Sequence, residues 1–198
     1  GENESLFTYY VYDDLGRRRY ILPPSRNSSF KMGVEELTEL QSDCYYVEYD
    51  KYGRIYKQYI PGSGYTISLY DAKGRLAFSQ NTLQREKNKW SFTKYDAFDR
   101  PVISGICSGT ETEFRQTLAN QKFQNEKRGT DIHGYTNRVC PTYITSEDCL
   151  EITYYDDYSW PGQEMVAWSA ADALDEGYSD RVIGQITGTK TRVLGDTV

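Results

Sequence analysis

A Tyr-Asp-x-x-Gly-Arg phrase returns along this 198-residue chain, and internal repetition constrains architecture more than any other sequence feature. It reads Tyr12-Asp13-Asp14-Leu15-Gly16-Arg17, then Tyr49-Asp50-Lys51-Tyr52-Gly53-Arg54, then Tyr70-Asp71-Ala72-Lys73-Gly74-Arg75. A fourth copy, Tyr95-Asp96-Ala97-Phe98-Asp99-Arg100, has aspartate in place of the glycine. A fifth, Tyr155-Asp156-Asp157-Tyr158, keeps only the first half. Aspartate opens turns by accepting hydrogen bonds from backbone two residues on, and glycine at the fourth position tolerates positive φ. Together they describe a type I turn closing through a left-handed residue into a bulge, a common hairpin connection. Asp99 is a mild departure, because aspartate is among the few residues that visit that region. Turn chemistry alone assigns no role to the arginine.

The flanking arms agree with hairpins. Three and five residues before each repeat tyrosine stand Tyr9 and Phe7, Tyr46 and Cys44, Ile67 and Tyr65, Phe92 and Trp90, Ile152 and Leu150. All are apolar or aromatic. The intervening positions are mostly hydroxylated or charged, which is the period-2 pattern of half-buried strands kept in one phase. Return arms follow at Arg18 to Leu22, Ile55 to Ile60, Leu76 to Gln80 and Val102 to Ile106, and Pro23-Pro24 and Pro61 end the first two. The predicted fold is mainly β: antiparallel hairpins laid edge to edge in a curved or twisted strip, with two or three short inserted helices. Residues 5–108 hold four repeats, 109–149 a helix-containing insertion, and 150–198 a degenerate fifth repeat with closing strands. Helices are expected at Val34 to Leu40, at Thr112 to Gln124 with Phe114 and Leu118 one turn apart, and at Gln163 to Glu176. Strand character resumes at Val182 to Leu194, with bends at Gly184, Gly188 and Gly195.

Composition supports a thin sheet more than a deep aliphatic core. There are 19 tyrosines, 7 phenylalanines and 3 tryptophans, and tyrosine combines large apolar area with a polar tip. The net charge of -6 argues against nucleic acid and anionic membranes as main partners. Arg17-Arg18-Arg19 is the local exception and reads as a solvated strand face. No apolar run is long enough to cross a bilayer. No signal peptide is present, and Gly1 reads as the start of an excised fragment. Cys44, Cys107, Cys140 and Cys149 include no Cys-x-x-Cys pair, and His133 is the only histidine, which disfavours structural zinc. Two disulfides, a Cys140–Cys149 bridge among them, and four buried thiols both remain open.

These phrases resemble the Rhs or YD-repeat superfamily, and most of all the large YD-repeat proteins of Bacteroidetes. The likeness rests on Tyr9 to Arg17 leading into Tyr20-Ile21-Leu22-Pro23-Pro24, and on Phe92 to Ala97 with Arg100-Pro101-Val102. Gly134-Tyr135-Thr136-Asn137-Arg138, Tyr154 to Tyr158 and Thr187 to Gly195 extend it over nearly the whole chain. The resemblance implies a β-sheet strip that encloses or presents another part of a surface or secreted bacterial protein, with the rest of the parent chain as its partner. Five repeats are too few to close a shell, the Asp-Pro pair of the family's self-cleaving core motif is missing, and no catalytic residue carries over.

Asp13-Asp14, Asp156-Asp157 and Glu35-Glu36 are adjacent carboxylates, which point in different directions and do not form the facing pair of a glycosidase. His133 beside Gly134 has no serine elbow or orienting partner in the sequence, and Pro61-Gly62-Ser63-Gly64 lacks a P-loop lysine. The reading is therefore non-catalytic and without cofactor or metal. The alternative is a carbohydrate-binding module, with Tyr10, Tyr45, Trp160 and Trp168 as stacking candidates; Tyr10 and Tyr45 fall on the polar phase of their strands. A glycosidase-like enzyme ranks third. Unpaired strand edges invite pairing, so the fragment is expected to cap its ends with insertions or to form a homodimer through them.

Overall fold

The structure, a computed structural model, describes residues 6–24, 44–162 and 182–193. It is mainly β, as expected. Ten strands form one antiparallel sheet whose spatial order follows the chain: β1 (Tyr9–Tyr12), β2 (Arg18–Leu22), β3 (Tyr45–Tyr49), β4 (Ile55–Ile60), β5 (Gly64–Tyr70), β6 (Leu76–Gln80), β7 (Lys89–Tyr95), β8 (Pro101–Ser108), β10 (Cys149–Tyr155) and β11 (Ile186–Thr191). The short β9 (Arg128–Ile132) stands outside that sheet and bridges to Tyr135. Pairing slips by one residue just before Tyr12, Tyr49 and Tyr155, the bulge that an Asp-x-x-Gly turn requires.

The chain groups into two compact units, Gly1–Leu69 with Phe78–Trp90, and Tyr70–Ala77 with Ser91–Val198. In the first unit a row of tyrosines crosses four strands in register: Tyr20 opposite Tyr46, Tyr46 opposite Tyr59, Tyr59 opposite Tyr65. The Tyr20–Tyr46 and Tyr46–Tyr59 ring centroids lie 6.1 and 5.5 Å apart. Such cross-strand aromatic pairs stabilise a sheet by about 0.2–1 kcal/mol each. Leu22, Cys44, Ile67, Leu69, Phe78 and Trp90 complete the buried set. A five-residue helix, α1 (Thr82–Glu86), carries Arg85 over the Tyr65 ring at 3.5 Å. It was missed in the sequence, although Asn81 and Gln84 form a capping box whose spacing is readable.

The parity pattern fails at the first repeat. Phe7 and Tyr9 are 57% and 50% exposed, whereas Cys44, Tyr46, Trp90 and Phe92 at the equivalent positions are at most 5% exposed. The physical reason is position: among the described residues β1 is the first strand of the sheet, with a strand neighbour on one side only.

In the second unit, α2 (Glu111–Asn120) starts one residue before the expected Thr112 and ends four before the expected Gln124, and it buries Phe114 and Leu118. Thr110 and Glu113 cap it reciprocally. Phe92, Val102, Ile103, Cys107, Ile132, Tyr135, Val139, Ile144, Cys149, Ile152 and Tyr154 form the core. Gly105 lets β8 pass directly under the Phe92 ring and the Asp148 carbonyl; a β-carbon there would stand 2.8 Å from the ring. Lys94 and Glu126 are wholly buried, 3.2 Å apart. Glu126 also accepts from the Thr136 hydroxyl and the Arg138 and Val139 amides, while Lys94 donates to Asn137. That network fastens residues 126–139 to β7. Burial lowers the lysine's pKa, against the pull of the Glu126 carboxylate.

The helices expected at Val34 to Leu40 and Gln163 to Glu176 lie outside the described residues. Of the strand expected at Val182 to Leu194, Ile186–Thr191 is β11, and Leu194 and Gly195 lie outside. Among the described residues no helix is long and apolar enough to cross a membrane.

Candidate functional site: the repeat turns and the exposed aromatics

Each complete phrase lies between two consecutive strands, and its aspartate organises the turn. In the first, the Asp13 carbonyl accepts from the Gly16 N–H, while its Oδ1 accepts from the N–H groups of Leu15 and Arg17 at 3.0 and 2.9 Å. The same pattern recurs at Asp50, Asp71 and Asp96. Gly16, Gly53 and Gly74 have φ of 72, 79 and 85°, and Asp99 has 64° in the same place. The left-handed residue needed to close the turn is therefore present in all four.

The arginine has a defined role. Its Nε donates to Oδ2 of its own aspartate at 2.7–2.8 Å in Arg17, Arg54, Arg75 and Arg100. Held this way, the guanidinium groups of Arg17, Arg75 and Arg100 face the tyrosine of the following repeat. Arg17 lies 4.7 Å from the Tyr49 ring centroid, Arg75 4.6 Å from Tyr95, and Arg100 4.2 Å from Tyr155. Those tyrosines answer with a hydrogen bond. Tyr49 donates to the Arg18 carbonyl, Tyr95 to Leu76, and Tyr155 to Pro101, always the residue after the arginine. We call this arginine–tyrosine pair a latch. The Arg17-Arg18-Arg19 tract is accordingly not a plain solvated face, since Arg17 is bound to Asp13 and covers Tyr49.

The guanidinium also meets the left-handed residue of the next turn. A β-carbon on Gly53 would lie 3.7 Å from Arg17 Nη1. Asp99 occupies the equivalent place beside Arg75 and binds Nη1 at 2.7 Å, with Lys73 Nζ at 2.8 Å. Asp156, with φ of 73°, binds Arg100 Nη1 and Nη2 at 2.9 and 2.7 Å. Hydrogen bonds from Arg100 and from the Gly184 N–H lower the Asp156 pKa to about 2. Arg17's hydrogen bond likewise lowers Asp13. At Asp50 burial pulls the other way, yet Arg54 and the turn amides keep the carboxyl low. These carboxylates are locked anions, unsuited to proton transfer near neutral pH.

A cavity of about 170 Å³ adjoins the fourth turn, lined by Asp96, Arg100, Glu126, Arg128, Tyr155 and Asp156 among others. In its wall Asp96 and Asp156 hold Arg100, Arg128 pairs with Asp157, and Glu126 pairs with Lys94. A second cleft of about 480 Å³ lies between α2 and Tyr143, with Cys140 in its wall. Burial pushes the Cys140 and Cys149 thiols up to about 11, so neither is a thiolate nucleophile at neutral pH. All four cysteines are buried thiols outside any disulfide. His133 sits in a left-handed turn with its ring nitrogens 3.4 Å from the Ser146 carbonyl and Lys190 Nζ. Among the described residues no group of His, Cys, Asp and Glu is arranged to hold a metal ion.

The proposed stacking residues separate. Tyr10 and Tyr45 are 53% and 44% exposed, and both stand opposite Ile21, on its two flanking strands. They form an open aromatic row. Trp160 does not belong with them: one face stacks on Tyr154 at 4.8 Å, and its ring presses against Gly188. It is a packing residue beneath β11. Trp168 lies outside the described residues. No family model matches this chain, and no curated protein matches it in sequence.

Proposed function

We propose that this chain is a non-catalytic, structural segment of a larger YD-repeat protein of the bacterial surface or secreted space. Its hairpin strip would enclose or present another part of the parent chain, which is its principal partner. The observation that supports this most is the latch, which Arg17, Arg75 and Arg100 form with the same atoms. In these latches the Asp, Arg and Tyr of the repeat are engaged in joining one hairpin to another. The resemblance of the repeat phrases to the Rhs superfamily supplies the setting. The test is limited proteolysis of the full-length parent. Arg75→Gln with Arg100→Gln should expose a segment that the wild type shields, and an unchanged digestion pattern would count against an enclosing role.

A carbohydrate-binding role is the second reading, favoured by the Tyr10–Ile21–Tyr45 register. Two strand spacings separate the tyrosines by about 9–10 Å, so an extended polar ligand could lie across both rings. Glycan-panel binding that disappears in Tyr10→Ala and in Tyr45→Ala supports it. Flat binding across the panel removes it.

A further inference from the structure

The two ends of the sheet differ in a way that the repeat itself explains. In every latch, a tyrosine on an outward arm takes a guanidinium on its ring and gives its hydroxyl hydrogen to the strand beyond. Tyr12 holds the same place on β1, the first strand, and is 58% exposed. Among the described residues no guanidinium covers it. At the other end, the fifth hairpin keeps one closing contact of the repeat turn but not its whole pattern, since Asp156 is itself left-handed and its Oδ1, in place of its carbonyl, accepts from the Gly184 N–H. Asp156 N–H donates to the Gln185 carbonyl as Asp13 N–H does to Arg17, and Gly184 has the left-handed φ of 84°. Gln185 therefore stands in the arginine position, and the last return arm, β11, offers no guanidinium.

We propose that β1 is an acceptor edge for one kind of partner: the return arm of a further hairpin, led by a Gly-Arg turn whose guanidinium stacks on Tyr12. The Tyr12 hydroxyl donates to the carbonyl after that arginine, and the incoming strand pairs antiparallel with β1, covering Tyr9. A second copy of this chain is not the occupant. The described return arms β2, β4, β6 and β8 already have strands on both sides, and β11 lacks the arginine. With Gln185 in the arginine place on β11 and an uncovered tyrosine on β1, the latch gives the sheet a direction. The inference rests on the strip reading above.

A register-matched fusion tests it, with residues 44–63 placed directly before Leu6 of the chain. This reproduces the join already present between β4 and β5, where Gly64 stands six residues before its repeat tyrosine as Leu6 does before Tyr12. Hydrogen exchange should slow about tenfold or more at the β1 amides that point away from β2. Arg→Gln in the added copy, which reproduces Gln185, should return about threefold or more of that protection. Equal protection with arginine and glutamine would discard the latch, and no added protection would discard the acceptor edge. A dimer of the unfused chain that Tyr12→Ala dissociates would make a second copy the occupant and overturn the assignment. Internal latch variants such as Arg75→Gln, tested in the unfused chain, report on the strip independently. If they destabilise it while the fusion fails, only the present inference falls.

Discussion

Asp99 and Gly53 occupy equivalent turn positions beside a guanidinium, and they resolve one conflict in opposite ways. Asp99 accepts left-handed backbone, at about 1–2 kcal/mol for a residue with a β-carbon, and gains Arg75 and Lys73 as partners. It is 54% exposed, so those ion pairs are worth about 0–1 kcal/mol. Asp99→Gly should therefore alter stability by less than about 1 kcal/mol, whereas Asp99→Ala keeps the strain, loses the pairs and should fall about 1 kcal/mol below the glycine variant. Gly53→Asp should in turn be better tolerated than Gly53→Ala. Urea denaturation of the four variants decides this. Asp156 gives a second check at this scale. Its folded pKa of about 2 lies below the ordinary 3.8, so its contribution is present above about pH 4 and is lost as pH falls through about 2. Arg100→Gln should move its carboxyl resonance titration upward toward the ordinary value, and an unmoved midpoint would refute the assigned cause.

Helix α2 and strand β8 carry predictions of their own. Thr110→Ala removes the cap that receives the Glu113 N–H and should cost about 1 kcal/mol. Gly105→Ala drives a methyl group into Phe92 and the Asp148 carbonyl, and overpacking of this kind costs about 1–3 kcal/mol. Thermal unfolding of each variant checks both values. Elements were also what the sequence displayed best. Aspartate, glycine and strand parity are local signals, so the turns, most strands and α2 were legible. The arginine was not, because its tyrosine partner lies at no fixed separation. The latch hydrogen bonds span 31, 19 and 54 residues, and only the folded sheet brings their ends together. Lys94 left a trace that was passed over: it occupies the buried phase of β7, one residue before Tyr95, while its partner Glu126 is 32 residues away.

At the scale of the whole molecule, stability rests on two devices besides apolar burial: the Lys94–Glu126 network and the latches. Removing one member of a wholly buried ion pair costs about 3–5 kcal/mol, because the other charge is stranded. Lys94→Met should approach that loss, and Lys94→Met with Glu126→Gln should recover part of it in guanidinium denaturation. The latches add an alkaline limit. Burial raises the pKa values of Tyr95 and Tyr155, so the neutral phenols favour the fold. Their contribution is complete below the ordinary tyrosine value of 10.0 and disappears as pH climbs through the higher folded values. The hydroxyl-lacking variants Tyr95→Phe and Tyr155→Phe should weaken the protein at neutral pH and flatten its loss of stability above pH 10.

The latch also separates joining from threading. A short connection, residues 81–88, and a long one, residues 109–148, both lead to the same arginine–tyrosine contact. The unit carries its socket at the tyrosine and its plug at the arginine, so successive units fit whatever length of chain runs between them. The chain between latched hairpins is thus free to vary in length and content, and in the long connection it has become part of the core, supplying Phe114, Ile132 and Tyr135 and the Glu126 that holds Lys94.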